Sequence, residues 1–440
     1  MATNSLLTDA KITKESMAIL HNTLGFVKGV DRQYSKEFGN TGAKIGVTIN
    51  VRKPNRYTVQ QGPAITPQGQ SESSVPLTLN RQWVVPMTFS TAELTLSIDE
   101  FSKRYIQPAI SKLASQIDLD CAYAAIKGTY LDGVSSPGAG PVNTVIGTPG
   151  TTPGTPGGTA SGLLNYNAPN IFLNAGLVLD NNAAPRDKNR VICLNPAAHA
   201  SSVGALTGLF NPQGVISEQY RNGLLGNALG FDFMLDQNMP TFTAGSRVAT
   251  AGTYTADTTT AGTWGTAGSS ITSIALSTSD TGKTIAIGDT FTIAGVYAIN
   301  PETQQNTGIL YQFVATAAVA STTNGGAVTV RSAKVGGSGI ADGDFVVASS
   351  ASTASVTWVS GAASTTSPTS LAFHQSAFTL GTADLEIPGG VDFAGRESMD
   401  GISMRLVRQY DINSDFVVCR LDVLGGFSTL RPELALRIAG

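Results

Sequence analysis

The sequence predicts an α+β fold with a small all-β domain inserted in it. A long helical period at 97–128, strict two-residue alternation at 47–51 and 83–89, and a sharp change of composition at Thr241 carry that expectation. At 440 residues the chain exceeds the length at which one hydrophobic core usually stops growing, so several folding units are expected. Charged residues make up 13 % against an ordinary share of about a quarter. A chain this poor in charge either exposes a bland surface or covers it with copies of itself.

An arm comes first, over residues 1–43, with Ile12, Ile19, Leu20, Leu24 and Val27 at roughly helical intervals. Val47, Ile49 and Val51 then alternate with polar residues, as do Trp83, Val85, Met87 and Phe89 later, and the two runs read as strands of one long hairpin over 44–96. Between them Gln61-Gly62-Pro63 through Pro67-Gln68-Gly69 supply chain breakers and nothing for a core, which predicts a projecting tip. Such a ribbon needs a partner surface.

Ser97-Ile98-Asp99-Glu100 forms a capping box that starts a helix. Phe101, Tyr105, Ile106, Ile110, Leu113, Ile117, Cys121 and Ala124 carry its period to Gly128, a length of about 30 residues where about 11 or 12 is usual. Pro108 predicts a kink in it. Pro137 to Gly162 is almost wholly Gly, Pro, Thr, Ser and Ala, a composition too poor in apolar area to offset its ordering entropy, and it reads as a flexible loop closing segment 97–164. Segment 165–240 reads as mixed α/β, with a buried strand at Arg190–Leu194, a helix entered at Asn195-Pro196 and a helical stretch near Val215 to Arg221. Thr241 to Ser370 is rich in Thr, Ala, Gly and Ser with short alternating runs such as Leu310-Tyr311-Gln312-Phe313-Val314, the mark of a small β-domain. Longer mixed segments return over 371–440, with strands at Ile402 to Arg408 and Phe416 to Leu424, so an insertion explains both boundaries.

Chemistry is sparse. The net charge of -3 opposes a dedicated nucleic-acid binder. Cys121, Cys193 and Cys419 are far apart and read as buried thiols. The first residues show no basic stretch followed by an apolar one, and no run approaches the ~18 apolar residues of a membrane span, so neither export nor a membrane is expected. Asp280-Thr281-Gly282-Lys283-Thr284 ends like a phosphate-binding loop, but Ser277 stands where the motif needs glycine, and a hairpin turn is the better reading. His21, His199 and His374 form no pair at ligand spacing, which predicts no metal and no cofactor. Asp118 and Asp120 lie on different helix faces, wrong for paired acid and base, and suit solvation or pairing on the helix surface. No serine or cysteine sits in a nucleophile signature, so no enzyme is expected. Arg52, Lys53, Arg56 and Arg81 flank a tip whose charge is Glu72. They either keep an exposed ribbon soluble or meet acidic groups on a neighbouring subunit.

These elements, in this order, resemble the tailed-phage major capsid protein fold: N-terminal arm, extended hairpin loop, long spine helix, peripheral and axial domains. The coat proteins of short-tailed Salmonella phages, which carry an inserted β-domain, are the most similar family. Ser217-Glu-Gln-Tyr-Arg-Asn-Gly223 with Leu229-Gly-Phe-Asp-Phe-Met-Leu235 looks like that family's helix, turn and strand before the insertion. Lys283-Thr-Ile-Ala-Ile-Gly-Asp289 with Phe291-Thr-Ile-Ala-Gly-Val296 resembles the insertion's hairpin, and Cys419 through Arg431-Pro432-Glu433 resembles the terminal segment. Pro137 to Gly162 is longer than the family suggests, and Ala251 to Gly268 carries one charge, Asp257.

The resemblance implies a major capsid protein assembling into hexamers and pentamers of an icosahedral head in the host bacterial cytoplasm. Its partners would be itself, a scaffolding protein, a portal and packaged double-stranded DNA bound without sequence specificity. Arg52, Lys53, Arg56, Gln61, Gly62, Gln68, Glu72, Arg81, Arg431 and Glu433 become the candidate self-assembly residues. Two other classes compete: a shell subunit of a cytosolic protein compartment, and a β-rich tail or adhesin surface protein. The large insertion opposes the first, and the long capped helix opposes the second.

Overall fold

A computed structural model describes residues 9–32, 48–57, 59, 62–63, 74–90, 106–132, 170–206, 226–247 and most of 254–439; the short gaps in the last span are 257, 259–263, 265, 279–281, 321–325, 338–339, 341, 349–350, 352, 361–362 and 400. The capping box at Ser97, the Pro137 to Gly162 loop and the helical stretch near Val215 lie outside the described residues. By contact the chain divides into two compact units, one of 1–51, 74–124 and 378–430, the other of 52–73, 125–377 and 431–440.

In the first unit, α1 (Asp9–Thr23) packs on a five-stranded antiparallel sheet. The sheet holds β3 (Arg81–Ser90), β18 (Phe378–Ala383), β19 (Phe393–Met399), β20 (Ile402–Asp411) and β21 (Phe416–Thr429). The alternation read along β3 is what it shows: Trp83 and Phe89 are buried while Val84, Pro86 and Thr88 are exposed. Its pairing differs from expectation. β3 runs antiparallel to β21 from Arg81 opposite Gly425 to Ser90 opposite Phe416, while β1 (Thr48–Arg52) takes β2 (Ser74–Thr78) as its partner. Both strands of the expected hairpin exist, but local alternation cannot name a partner more than 300 residues away. Gly426 lets this sheet approach β2, since a Cβ there would sit 1.9 Å from the Thr78 carbonyl oxygen.

The long helix, α2, is described over Gln107–Gly128, with Pro108 near its described start, just after a π-helical residue, Ile106. Ile110, Leu113, Ala114, Ile117 and Cys121 are buried at three-to-four spacing.

In the second unit, α3 (Asn170–Asn181) accompanies a mixed sheet in the order β22-β17-β4-β6-β5: Ala435–Ala439, Thr366–His374, Arg190–Leu194, Phe231–Leu235 and Asn227–Ala228. Every residue of β4 is buried, which fits its central place and its parallel pairing with β6. The Asn195 side chain accepts the Ala198 N–H at 2.7 Å and caps α4 (Pro196–Leu206), as read from the sequence.

The strand β7 (Thr241–Thr243) pairs with the start of β17, and between them the chain builds separate sheets. One is seven-stranded, from β8 (Tyr254–Ala256), β9 (Ser270–Thr278), β11 (Thr290–Ile299), β12 (Asn306–Val314), β14 (Gly326–Lys334), β15 (Phe345–Val347) and β16 (Ala354–Trp358). The other joins β10 (Thr284–Ile285) to β13 (Val319–Ala320). Trp264, Tyr254, Trp358, Phe291, Phe313 and Phe345 are buried in the core under the seven-stranded sheet, with Phe291 and Phe313 stacked at 5.7 Å. The segment around Gly282, expected as a hairpin turn, instead links β9 to β10 without pairing them, because β9 is already held by β8 and β14.

Candidate assembly surfaces

The segment expected to project belongs to the second unit, with Lys53 near its start. The Lys53 amine is half-buried and lies within electrostatic reach of Glu433 and Asp344 on the attractive side, and of Arg331 and Arg56 on the repulsive side. Burial pushes the amine below its ordinary value, and the two carboxylates pull it back only in part. Asp344 is pushed up by burial against the pull of the Lys334 N–H, Arg56 and Lys53. These groups come from distant parts of the chain. Arg56 and Glu433 line one cleft with Tyr130, Tyr311 and Asp344, and the two phenol rings stack at 5.4 Å. The Arg331 guanidinium donates to the Gly128 carbonyl at 3.1 Å, closing the C-terminus of α2.

The lowered Lys53 amine gives a sign that can be checked. An amine whose folded value lies below its unfolded value of 10.5 is held at a cost at neutral pH, and the cost disappears as pH rises from the folded value to 10.5. Lys53→Met is therefore expected to stabilise the subunit by up to about 1 kcal/mol at pH 7, with an advantage that shrinks in alkali. Denaturation of both proteins from pH 7 to pH 10.5 measures this; a destabilised variant would contradict it.

The other candidates fall in separate places. Arg81, expected to meet acids on a neighbour, pairs with Asp120 of its own chain at 3.2 Å, and Asp120 also accepts the Trp83 indole N–H at 2.8 Å. Arg52 ends β1, and Gly62 takes a φ of 114° that favours glycine. Arg431 precedes the 3-10 turn Pro432–Leu434, and its N–H donates to the Ala377 carbonyl. Gln61, Gln68 and Glu72 lie outside the described residues. Asp118 corrects the sequence reading: it is fully buried and accepts the N–H groups of Gly25 at 2.7 Å and Val27 at 3.0 Å. Two carboxylates two residues apart do face different ways, but only one of those ways is solvent or surface.

Sequence reasoning missed a buried polar junction in the second unit. The Arg437 guanidinium reaches the Asp132 carboxylate at 2.8 Å, the Gly288 carbonyl at 2.7 Å and the Thr290 hydroxyl oxygen at 3.0 Å, and lies over the Phe242 ring at 5.1 Å. The Asp132 N–H donates to Gln312 Oε1 at 2.6 Å, and Gln312 Nε2 donates back to the Asp132 carbonyl at 3.0 Å. Close by, Asp289 accepts from Arg247 at 3.1 Å and from the Ser360 hydroxyl at 2.9 Å, all within the interior. One signal existed: Arg437 is a lone charge in the apolar strand Ala-Leu-Arg-Ile-Ala.

The three thiols are buried, and burial pushes Cys419 up to about 11, so none is poised as a nucleophile. His374 is satisfied between the Ser376 hydroxyl at 2.8 Å and Asp187 at 3.0 Å, and His199 is half-buried. The His21 side chain is outside the described set. Among the described residues no group of His, Cys, Asp and Glu has a metal-holding arrangement, and no helix is long and apolar enough to cross a membrane.

Comparison with known proteins adds the family. Residues 159–440 match the family described as P22 coat protein, gene protein 5. Curated protein sequences give no match. The fold is similar to a solved structure from Mycobacterium phage Che8, at 12% identity and a TM-score of 0.42, covering 94% of this chain and 89% of that one. It is similar to the capsid of cyanophage P-SCSP1u at 11% identity and TM-score 0.41, covering 89% and 83%. For the capsid of Ralstonia phage GP4 the values are 7% and 0.39, covering 100% and 94%. With the matched segment spanning well over half of its length, the chain belongs to the P22 coat protein family and is a tailed-phage major capsid protein.

Proposed function

We propose that this capsid protein closes into hexamers and pentamers of an icosahedral head around double-stranded DNA, inside the host bacterial cytoplasm, with a scaffolding protein and a portal as partners. The family match carries this reading. A shell needs many modest heterologous contacts that close by symmetry, and a chain with 13 % charge can cover much of its surface that way. Segment 241–370, within which β8 to β16 take their partners from one another, is the inserted β-domain of this scheme.

Segment 52–73, expected from the sequence to project, supplies one contact to a neighbour through Arg52, Arg56, Gln61, Gly62, Gln68 and Glu72, with Lys53 near its start and Arg431 and Glu433 beside it in the same unit. Arg81 acts indirectly, by fixing β3 to Asp120. Rim charges of this kind set register and on-rate more than affinity, because exposed ion pairs are each worth about 0–1 kcal/mol. Deleting Gln61 to Gly69 is expected to leave a folded subunit of normal melting temperature that forms no closed shells in negative-stain micrographs. Normal shells from the deleted chain would remove the segment from assembly.

A further inference from the structure

We infer that the turn at Leu229-Gly230 and the adjoining face of α3 form a contact surface for a second copy of this chain, an assignment that rests on the coat-protein reading. β5 and β6 pair Ala228 with Phe231, so Leu229 and Gly230 alone make the turn. Their φ values are 53° and 82°, the positive pair of a type I′ turn. Glycine and asparagine suit its first position, because elsewhere Cβ crowds the following carbonyl. The other described non-glycine residues at positive φ are Ala183, Gln304, Ser364 and Asp415, all small or polar. Leu229 is the large apolar one, and 43% of it is exposed, so the subunit interior returns little for the strain.

Two further leucines share its surroundings. Leu173 and Leu177, one helical turn apart on α3, are 51% and 41% exposed and line the same concavity as Leu229. A single surface leucine is ordinary, whereas three around one concavity, one of them held in a strained turn, mark a binding face. The rim argues for its occupant. Asp180, Arg186, Asp187 and Arg190 border the concavity, two acids against two bases, with Asp180 paired to both arginines. A balanced rim around an apolar centre is wrong for a polyanion and right for a protein surface. In a chain that self-assembles, that protein is another copy.

The test separates strain from contact. Leu229→Gly removes both the strained Cβ and the displayed side chain, so the free subunit should melt a few degrees higher while the concentration needed for shell formation rises about tenfold. A residue serving only the subunit's own fold would not move the two readouts in opposite directions. Independently, amide hydrogen exchange of the wild-type chain should slow across 170–181 and 226–235 on going from free subunits to shells. Unchanged assembly by the Leu229→Gly chain, or equal exchange in both states, overturns the proposal. Slowing in free subunits mixed with the internal scaffolding protein, before any shell forms, assigns the face to that partner and overturns it too. Wild-type subunits that form no shell with any partner would instead defeat the coat-protein reading, and this assignment with it.

Discussion

Replacing Arg437 by alanine is expected to cost the subunit about 3–5 kcal/mol, because it strands a carboxylate in the interior. Arg437 is 1% exposed and Asp132 5%, so water cannot replace the lost partner. Burial already pushes the Asp132 carboxyl above its ordinary 3.8, against the pull of Arg437 and the Thr290 hydroxyl. A carboxyl raised in the folded state favours the protonated form there. Its contribution to stability is therefore greatest below pH 3.8 and is lost as pH rises from that value to the folded one. Without Arg437 the folded value climbs further and the window widens, so acid should recover part of the variant's loss. Urea denaturation of purified subunits at several pH values measures both effects. An Arg437→Met, Asp132→Leu double variant should recover most of the stability, since exchanging a whole buried pair for apolar residues is often near neutral. A single alanine variant within about 1 kcal/mol of wild type would show that the junction is incidental.

Asp118→Ala is the second large expectation, at about 2–5 kcal/mol, because it orphans one buried and one half-buried amide at once. The amides belong to Gly25 and Val27, at the 3-10 turn Phe26–Gly29 that follows α1. Phe26 fills the core there, 6.1 Å from the Phe378 ring and 6.3 Å from Phe427. Losing the carboxylate should loosen this turn before the rest of the unit, so amide exchange at 24–31 should accelerate more than at β20 or β21. The milder change Asp118→Asn keeps one acceptor oxygen and should restore part of the protection. Uniform acceleration across the unit would mean that Asp118 does not hold the turn specifically.

Much of the architecture was legible along the chain because it rests on local periodicity. The buried run of β4, the Asn195 cap, the alternation of β3 and the period of α2 each depend on residues within a few positions of one another. The family, too, was visible in short stretches around Gly230, Asp289 and Arg431. The candidate contact residues were harder to place. Lys53, Arg56 and Arg81 read alike as ribbon charges, yet the first two lie with Glu433 and Asp344 while the third pairs with Asp120.

Sequence by itself determined the strands at 48–51, 83–89, 190–194, 402–408 and 416–424 and the helices over 107–128 and from Pro196, since propensity and period act over a few residues. Only the tertiary structure decided which strand lies beside which, that Asp118 is interior, and that Arg437 meets Asp132 from 305 positions away. The reason is the range of the forces. Side-chain period reports which face is apolar, but pairing, desolvation and charge neutralisation depend on residues brought together only after the chain has closed its long loops.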